Sequence, residues 1–404
     1  MLPDGWKNQS LQSVAPVIDC KHRTPTYVVT GVPIVSPGNI SWGPLRLDGC
    51  RQVSEDDYSE LMNHCSVKVG DLVFGRNQSV GVSSVVVDDS PFALGQDTVL
   101  IQPEKVDPAF LNQWLRSPLF EKDIRRLLGG STFGRINLKD LRHLPMPIPP
   151  ALEARKIAEI LFTWDRAIET VDALIANARA QKKALMQSLL TGKHRLPGFS
   201  GAWKSVELKS MGKTSSGGTP DSDNDDYWNG DILWTTPTDI TALNHKYITD
   251  TKRKISATGL ANCSAKLLPA GTLLICTRAT IGDMAIATSP ISTNQGFKNL
   301  TPNASFVSEF LFHLFGFHKH IFIRYACGST FLELSKFDFE KREFLVPGRA
   351  EQQAIADILD DADLVIESFE AEAQTLRQEK SALMQQLLTG ERRVKVSEKE
   401  AAHA

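Results

Sequence analysis

Two long stretches of the chain carry apolar residues at spacings that alternate between four and three positions. This heptad pattern runs over more than four heptads and predicts two α-helices, each with a narrow apolar seam for pairing with another helix. A helix of about 40 residues spans roughly 60 Å. The first seam is Ile157, Leu161, Trp164, Ile168, Val171, Ile175, Ala178, Lys182, Leu185 and Leu189. The second is Ile355, Leu359, Ala362, Ile366, Phe369, Ala373, Leu376, Lys380, Leu383 and Leu387.

The residues that flank both stretches mark helix boundaries. Pro149 and Pro150 suit a helix start, where a missing N–H costs nothing. Gly192 and Gly390 suit the left-handed position just after a helix end. An alternative is that these are two ordinary buried helices of one globular domain.

The chain contains an internal repeat of about 200 residues. The tetrapeptide Gly-Ser-Thr-Phe occupies residues 130–133 and again 328–331, and Ala-Leu-Met-Gln occupies 184–187 and again 382–385. The offset of 198 holds without a gap from 130 to 192, and the period is too long for a solenoid. If the two helices of such a duplicated unit are antiparallel, a pseudo-twofold axis relates the two variable regions.

The repeat divides the chain into five segments. Residues 1–149 and 193–347 are predicted to be two domains of mixed α/β structure, residues 150–192 and 348–391 the repeated helices, and residues 392–404 a C-terminal tail. Within the variable regions, residues 67–76 and 266–278 have the pattern of a turn followed by a strand.

Composition narrows the possible functions. Hydrophobic residues make up 42% of the 404, and 45 Lys and Arg stand against 47 Asp and Glu, for a net charge of −2. This excludes an intrinsically disordered chain. It also predicts that, if the protein binds DNA, other subunits supply much of the positive charge. Six cysteines without a zinc-ligand spacing indicate free thiols, no metal site and a cytoplasmic location.

We find no catalytic motif in the sequence, and the remaining candidate chemistry is binding. Arg, Asn and Gln can read purine edges, whereas Ser, Thr and backbone N–H groups can hold phosphates. Ordinary surface loops remain the alternative for each segment. The candidate DNA-binding residues are His22, Arg23, Tyr27, Arg76, Asn77, Gln96, Ser131, Thr132, Lys213, Thr219, Arg278, Thr280, Asn294, Gln295, Lys298, Ser329 and Thr330.

One lysine interrupts each seam at the same repeat position, Lys182 and Lys380. Either both stems lie along the seam and both ammonium groups reach water, or the lysines are buried polar markers of helix register. In the second case each would meet a carboxylate of the other helix or of a partner. We expect Asp357, Asp360 and Asp361 to lie within reach of the end of the first helix.

The repeat and its motifs resemble the specificity subunit of type I restriction-modification systems. Residues 351–356 (Glu-Gln-Gln-Ala-Ile-Ala) and 387–390 (Leu-Leu-Thr-Gly) are similar to the family's helix-start and helix-end signatures. Residues 266–272, 278–282 and 293–297 resemble segments of a target recognition domain, and residues 91–97 resemble a second subtype.

The resemblance implies an α+β fold with two mixed α/β target recognition domains separated by two long antiparallel coiled-coil helices. Each domain would read one half of a split, asymmetric DNA site, and the helices would fix the spacer. The subunit would be non-catalytic and dock two methyltransferase and two endonuclease/translocase subunits. The subunit itself would bind no cofactor, because S-adenosylmethionine would bind to the methyltransferase partner.

Three other functions compete with a restriction complex. The same subunit could serve a methylation-only or phage-defence complex without the endonuclease, and neighbouring genes would separate these two. A coiled-coil scaffold without a DNA role would lack groove-reading loops. A stand-alone nuclease or methyltransferase is disfavoured by the missing motifs.

Overall fold

The computed structural model describes residues 2–128, 134–328 and 332–395. The chain forms two units. Unit 1 comprises residues 1–172 and 371–404, and unit 2 comprises residues 173–370. Each unit therefore contains one variable region together with part of both long helices. Over the described residues, no helix is long and apolar enough to cross a membrane.

The described residues of unit 1 form eleven short strands and five short helices ahead of the first long helix. A 3₁₀ turn covers Pro37–Asn39. The strands are β1 (Lys7–Ser10), β2 (Val17–Asp19), β3 (Tyr27–Val28), β4 (Val32–Val35), β5 (Gly43–Pro44), β6 (Arg51–Val53), β7 (Leu72–Gly75), β8 (Ser83–Val85), β9 (Ala93–Leu94), β10 (Thr98–Ile101) and β11 (Pro145–Ile148). The helices are α1 (Leu11–Val14), α2 (Glu55–Met62), α3 (Pro108–Leu115), α4 (Pro118–Leu128), α5 (Leu138–His143) and the long α6 (Ala151–Leu189).

Unit 2 follows the same plan with ten strands among its described residues. A 3₁₀ turn covers Asp225–Tyr227. The strands are β12 (Lys204–Glu207), β13 (Gly212–Ser216), β14 (Trp228–Thr235), β15 (Tyr247–Ile248), β16 (Arg253–Ile255), β17 (Leu273–Cys276), β18 (Met284–Ala287), β19 (Ile291–Thr293), β20 (Phe297–Pro302) and β21 (Glu343–Val346). The helices are α7 (Leu208–Met211), α8 (Pro237–Thr241), α9 (Ala257–Ala261), α10 (Ser308–Phe317), α11 (Lys319–Arg324), α12 (Lys336–Glu340) and the long α13 (Arg349–Thr389).

The two units share one sheet topology. Unit 1 has a five-stranded sheet in the order β2-β10-β7-β8-β5, and unit 2 has β13-β20-β17-β18-β15. In a second sheet, β3-β6-β4-β9, the last three strands correspond to the three-stranded sheet β16-β14-β19, with a parallel pair at β4–β9 and at β14–β19. The pair β1–β11 corresponds to β12–β21. The duplication therefore includes the variable regions, where sequence similarity is weak.

Each five-stranded sheet is buried on both faces. In β7, Leu72 and Phe74 face one hydrophobic cluster and Val73 faces another. In β17, Leu273 and Ile275 face the cluster under α10 and α11, whereas alternate residues face a smaller one. Alternation of side chains along a strand requires both faces to be covered when every residue is apolar. This explains why both central strands are continuous apolar runs.

The long helices confirm the heptad prediction. Every seam residue in both helices is buried or half-buried, and the helices end where predicted. Gly192 and Gly390 have φ angles of 68° and 79°, a backbone conformation that glycine adopts without steric cost.

Ion pairs fix the antiparallel pairing of the helix segments within each unit. In unit 1, Lys380 Nζ lies 2.6 Å from Asp165 Oδ1, and both side chains are buried. Arg116 and Gln113 also contact this carboxylate, at 3.2 Å and 2.7 Å. The prediction that Lys380 reaches water is therefore wrong.

In unit 2, Lys182 pairs with Asp363, which stands at the same repeat position as Asp165. Both lysines thus meet a carboxylate of the other helix, as the register hypothesis requires. The partners are Asp165 and Asp363 rather than Asp357, Asp360 or Asp361.

We expect Asp165→Asn to lower the free energy of unfolding of unit 1 by about 3 kcal/mol, because it leaves a buried ammonium group without a carboxylate. The control is Asp172→Asn, one heptad along the same helix. Asp172 pairs with Arg377, and both side chains are about half exposed, so the expected loss is under about 1 kcal/mol. Urea unfolding of both variants measures the difference, and equal losses would contradict the interpretation.

Candidate nucleic-acid interface

The loops after β7 and β17 have the same backbone conformation. Gly75 N donates to Val82 O at 3.0 Å, and Cys276 N donates to Asp283 O at 2.8 Å. Each loop contains one non-glycine residue with a left-handed backbone, Gln78 at φ 56° and Ala279 at φ 55°. We call residues 76–81 and 277–282 the crest loops. Their alignment equates Asn77 with Arg278 and Arg76 with Thr277.

Glutamines lie at equivalent positions beside the two crest loops. Arg76 N donates to Asp97 O at 2.9 Å, and Thr277 N donates to Gly296 O at 2.7 Å. This pairing equates Gln96 with Gln295. Gln96 Nε2 donates to the Thr24 hydroxyl at 3.0 Å, and Gln295 bonds the Thr219 hydroxyl.

A third segment in each unit lies beside the crest loop, at the same end of the five-stranded sheet. Ile136 N donates to Arg76 O, and Leu334 N donates to Thr277 O, both at 3.0 Å. These bonds place Arg135 and Glu333 at equivalent positions with opposite charge. We call the three segments together the polar edge of each unit. Predicted contacts Ser131, Thr132, Ser329 and Thr330 lie outside the described residues.

The polar edge of unit 1 is held by charged side chains. Arg76 is buried and donates from Nη1 to Asp19 Oδ1 at 2.8 Å and from Nε to Ile136 O at 3.1 Å. His22 Nε2 lies 3.2 Å from the other Asp19 oxygen, and Arg135 pairs with Asp97 at 2.7 Å. The burial of Arg76 argues against direct base contact and favours a bracing role.

More exposed candidates lie beyond this edge in unit 1. Arg23 pairs with Asp57 at 3.2 Å and also with Glu60. The Tyr27 ring is partly exposed and lies under the Arg51 guanidinium, 4.1 Å from ring centroid to Cζ. Asn77 lies 3.4 Å from Asp97 through its amide nitrogen. These side chains present donors and a ring face that suit nucleic acid.

In unit 2 the polar edge is built around one carboxylate. Glu333 accepts from Arg278 Nη2 at 2.8 Å and lies 3.6 Å from Lys298 Nζ. Lys298 is buried, and burial lowers the pKa of its ammonium group while Glu333 partly opposes this. Burial raises the pKa of Glu333, but the bond and charge of Arg278 and the charge of Lys298 outweigh it, so the net pKa is lowered.

The other unit 2 candidates divide into exposed and loop-shaping residues. Lys213 and Thr219 are exposed. Asn294 Oδ1 accepts from Gly296 N at 2.9 Å and therefore shapes the turn before β20. Thr280 donates its backbone N–H to Arg278 O at 2.6 Å, within the crest loop. DNA contact by the candidate residues remains a prediction.

Arg135 and Glu333 are the residues that the sequence interpretation missed. Both stand at the 198-residue offset, two positions after the repeated Gly-Ser-Thr-Phe segment. The sequence therefore contained a signal for these two residues, because the gapless repeat offset places residues of opposite charge at equivalent positions. Arg253, which stacks on Trp228 at 3.6 Å, carried no comparable signal.

Within the described ranges, two side-chain clusters have ligand atoms close enough for a metal ion, Asp19–Cys20–His22 and His313–Asp360–Asp363. In the first, Arg76 already pairs with Asp19, and burial, then the Asp19 charge, raises the pKa of the Cys20 thiol. In the second, Lys246 pairs with Asp360 at 2.8 Å. An adjacent cation disfavours metal binding at both clusters, and at the first the protonated Cys20 thiol does so as well.

The sequence matches the protein family described as type I restriction modification DNA specificity domain, over residues 3–178 and 201–378. The two matches cover most of the chain, so the chain belongs to this family.

Individual relatives agree with this assignment. The chain is 37% identical to the type I restriction enzyme MjaIX specificity subunit of Methanocaldococcus jannaschii, over 45% of this chain and 42% of that protein. It is 25% identical to the putative MjaX specificity subunit of the same organism, over 98% of this chain and 95% of that protein. The fold resembles the crystal structure of a type I restriction-modification system S subunit from M. genitalium, with a TM-score of 0.58, 16% identity and coverage of 96% and 98%.

We expect Arg76→Met to lower the free energy of unfolding of unit 1 by about 2 kcal/mol, because the Asp19 carboxylate and the Ile136 carbonyl lose a buried donor. Asn77→Ala, at the next residue, is the control and should change it by less than about 0.5 kcal/mol. Thermal unfolding measures both. A stable Arg76→Met variant with altered base preference would show that Arg76 contacts DNA after all.

Proposed function

We propose that this protein is the non-catalytic DNA-recognition subunit of a type I restriction-modification complex. Each unit reads one half of a bipartite, asymmetric site with its polar edge. The observation that carries the proposal is the contrast at equivalent positions of one scaffold. Asn77 of unit 1 occupies the position equivalent to Arg278 of unit 2, and Arg135 occupies the position equivalent to Glu333. One backbone frame with unlike polar side chains suits two unlike half-sites, because base edges are distinguished by donor and acceptor pattern.

Catalysis belongs to partners in this proposal. The subunit docks two adenine-N6 methyltransferase subunits, which use S-adenosylmethionine, and two endonuclease/translocase subunits. The long helices support docking because they carry exposed apolar side chains, among them Phe162 and Leu364, at 59% and 62% exposure. We place the methyltransferase contacts at these side chains, because a docked subunit would remove their apolar surface from water. The helices also set the spacer between half-sites.

A methylation-only or phage-defence complex is the second candidate. It uses the same polar edges and the same docked methyltransferase, and differs only in lacking the endonuclease. The chemistry of this chain is identical in both cases, so the proteins that co-purify with it decide between them.

Replacement of residues 1–149 by the corresponding region of another family member should change one half of the methylated site and leave the other half unchanged. The reason is that the variable region of unit 1 has its own sheets and its own polar edge. Methylome sequencing of cells that carry the chimera with its methyltransferase measures this. A change in both halves would overturn the assignment of one half-site to each unit.

Phe162→Glu combined with Leu364→Glu should weaken methyltransferase association at least tenfold, because burial of two large apolar side chains contributes about 1.5–3 kcal/mol each. Gln181→Glu adds a carboxylate at another exposed position of α6 and serves as the control. Co-purification and titration of the methyltransferase measure the effect. Equal association of both variants would place the docking surface elsewhere.

A further inference from the structure

The Glu333 cluster of unit 2 contains a buried charge that the fold itself does not require. Lys298 lies on β20 and is buried, yet the strand alignment equates it with Val99 of β10 in unit 1. The same sheet therefore accepts an apolar residue at this position. A buried ammonium group costs free energy unless it is paired, so a valine at this site would be the simpler choice for stability.

Lys298 contacts the same carboxylate that holds Arg278. Glu333 accepts from Arg278 with Oε2, whereas Lys298 lies nearest to Oε1. The carboxylate is thus held from the buried side by the lysine and presents its other oxygen to the crest loop. The backbone is held as well, because Arg278 and Glu333 form a β-bridge.

The guanidinium of Arg278 is fixed but retains free donors. It is 44% exposed, and Glu333 is its side-chain partner in the part of the chain that the structure describes. Arginine has five N–H donors in a planar fork, so contact through Nη2 leaves donors available. A planar fork with two free donors matches guanine O6 and N7, the commonest specific contact in the major groove.

A mobile arginine at the same place would act differently. An unrestrained guanidinium on a DNA-facing loop reaches the nearest phosphates, and phosphate contacts carry no sequence information. A carboxylate beside the arginine removes part of its attraction for phosphate and restricts its rotamers. Precise bidentate recognition requires this restriction, since the fork must align with two acceptors.

We propose that Glu333 is a positioning residue that holds Arg278 for bidentate recognition of one guanine in the half-site of unit 2, with Lys298 anchoring the carboxylate from the core. This inference rests on the proposed function. Unit 1 carries Asn77 in place of Arg278 and Arg135 in place of Glu333, so it lacks this arrangement and reads its half-site by other contacts.

The test uses the subunit assembled with its methyltransferase and compares Glu333→Gln, Arg278→Lys and Lys336→Ala. Lys336 is half exposed and pairs with Glu340 one helical turn away, which makes Lys336→Ala the control for a general loss of positive charge. Binding is measured at several salt concentrations on the cognate site and on variants with each base pair of one half-site replaced. Thermal unfolding confirms that each variant folds.

Glu333→Gln should reduce discrimination at one G·C pair about tenfold, as expected for loss of one bidentate contact. Its affinity for non-cognate DNA should be kept or rise, with a salt dependence steeper by about one charge, because the freed arginine contacts phosphate. Arg278→Lys should relax the same base pair without loss of non-cognate affinity. Lys336→Ala should weaken binding to all sequences alike.

Two results would overturn the proposal. In one, Glu333→Gln weakens all sequences equally, which indicates a structural role. In the other, Glu333→Gln retains discrimination at every base pair, whatever Arg278→Lys does. The exchange of residues 1–149 separates this failure from failure of the proposed function. If that exchange still changes one half-site, the units read DNA and only the role of Glu333 is wrong.

Discussion

An ion pair within an apolar helix seam, buried in unit 1 and partly exposed in unit 2, is the constraint on which each unit depends. Lys380 is buried and cannot move away from Asp165 without losing its carboxylate partner, and any shift of one helix along the other separates the two charges. Slipped pairings are therefore much less stable than the native one, although the pair itself contributes little net stability. The seam also holds Met384 and Leu387 against the core under the five-stranded sheet, so the helix register determines how the recognition sheet is supported.

The periodic parts of the fold could be predicted from the sequence, as could the central strands β7 and β17, which lie within the predicted segments 67–76 and 266–278. The pairing of strands in the recognition sheets could not. A heptad seam needs only a repeated apolar spacing, and Gly192 needs only the rule for helix ends. The sheets depend on long-range pairing of strands two to eight residues long, and the two variable regions align only with gaps. The correspondence of Asn77 with Arg278 therefore emerges only from shared hydrogen bonds at the strand ends.

Charge at the polar edges is largely balanced within each unit. Arg135 pairs with Asp97 and Arg278 pairs with Glu333, and beyond the edge of unit 1 Arg23 pairs with two carboxylates. Each pairing reduces attraction to phosphate and fixes a side chain at the same time. The near-neutral net charge thus reflects positive groups that are paired with carboxylates and held in defined orientations. Such paired groups favour sequence discrimination over general affinity for DNA.

The two units differ in how the chain builds them. Unit 2 is one continuous segment, but unit 1 needs residues after 371. Arg393, near the end of the chain, pairs with Glu153 at 2.8 Å, and the Trp6 indole donates to the same carboxylate at 3.1 Å. During synthesis on the ribosome, the segment made second is therefore the first that can complete its core. The segment before residue 173 keeps an uncovered helix face until residues 371–393 have emerged.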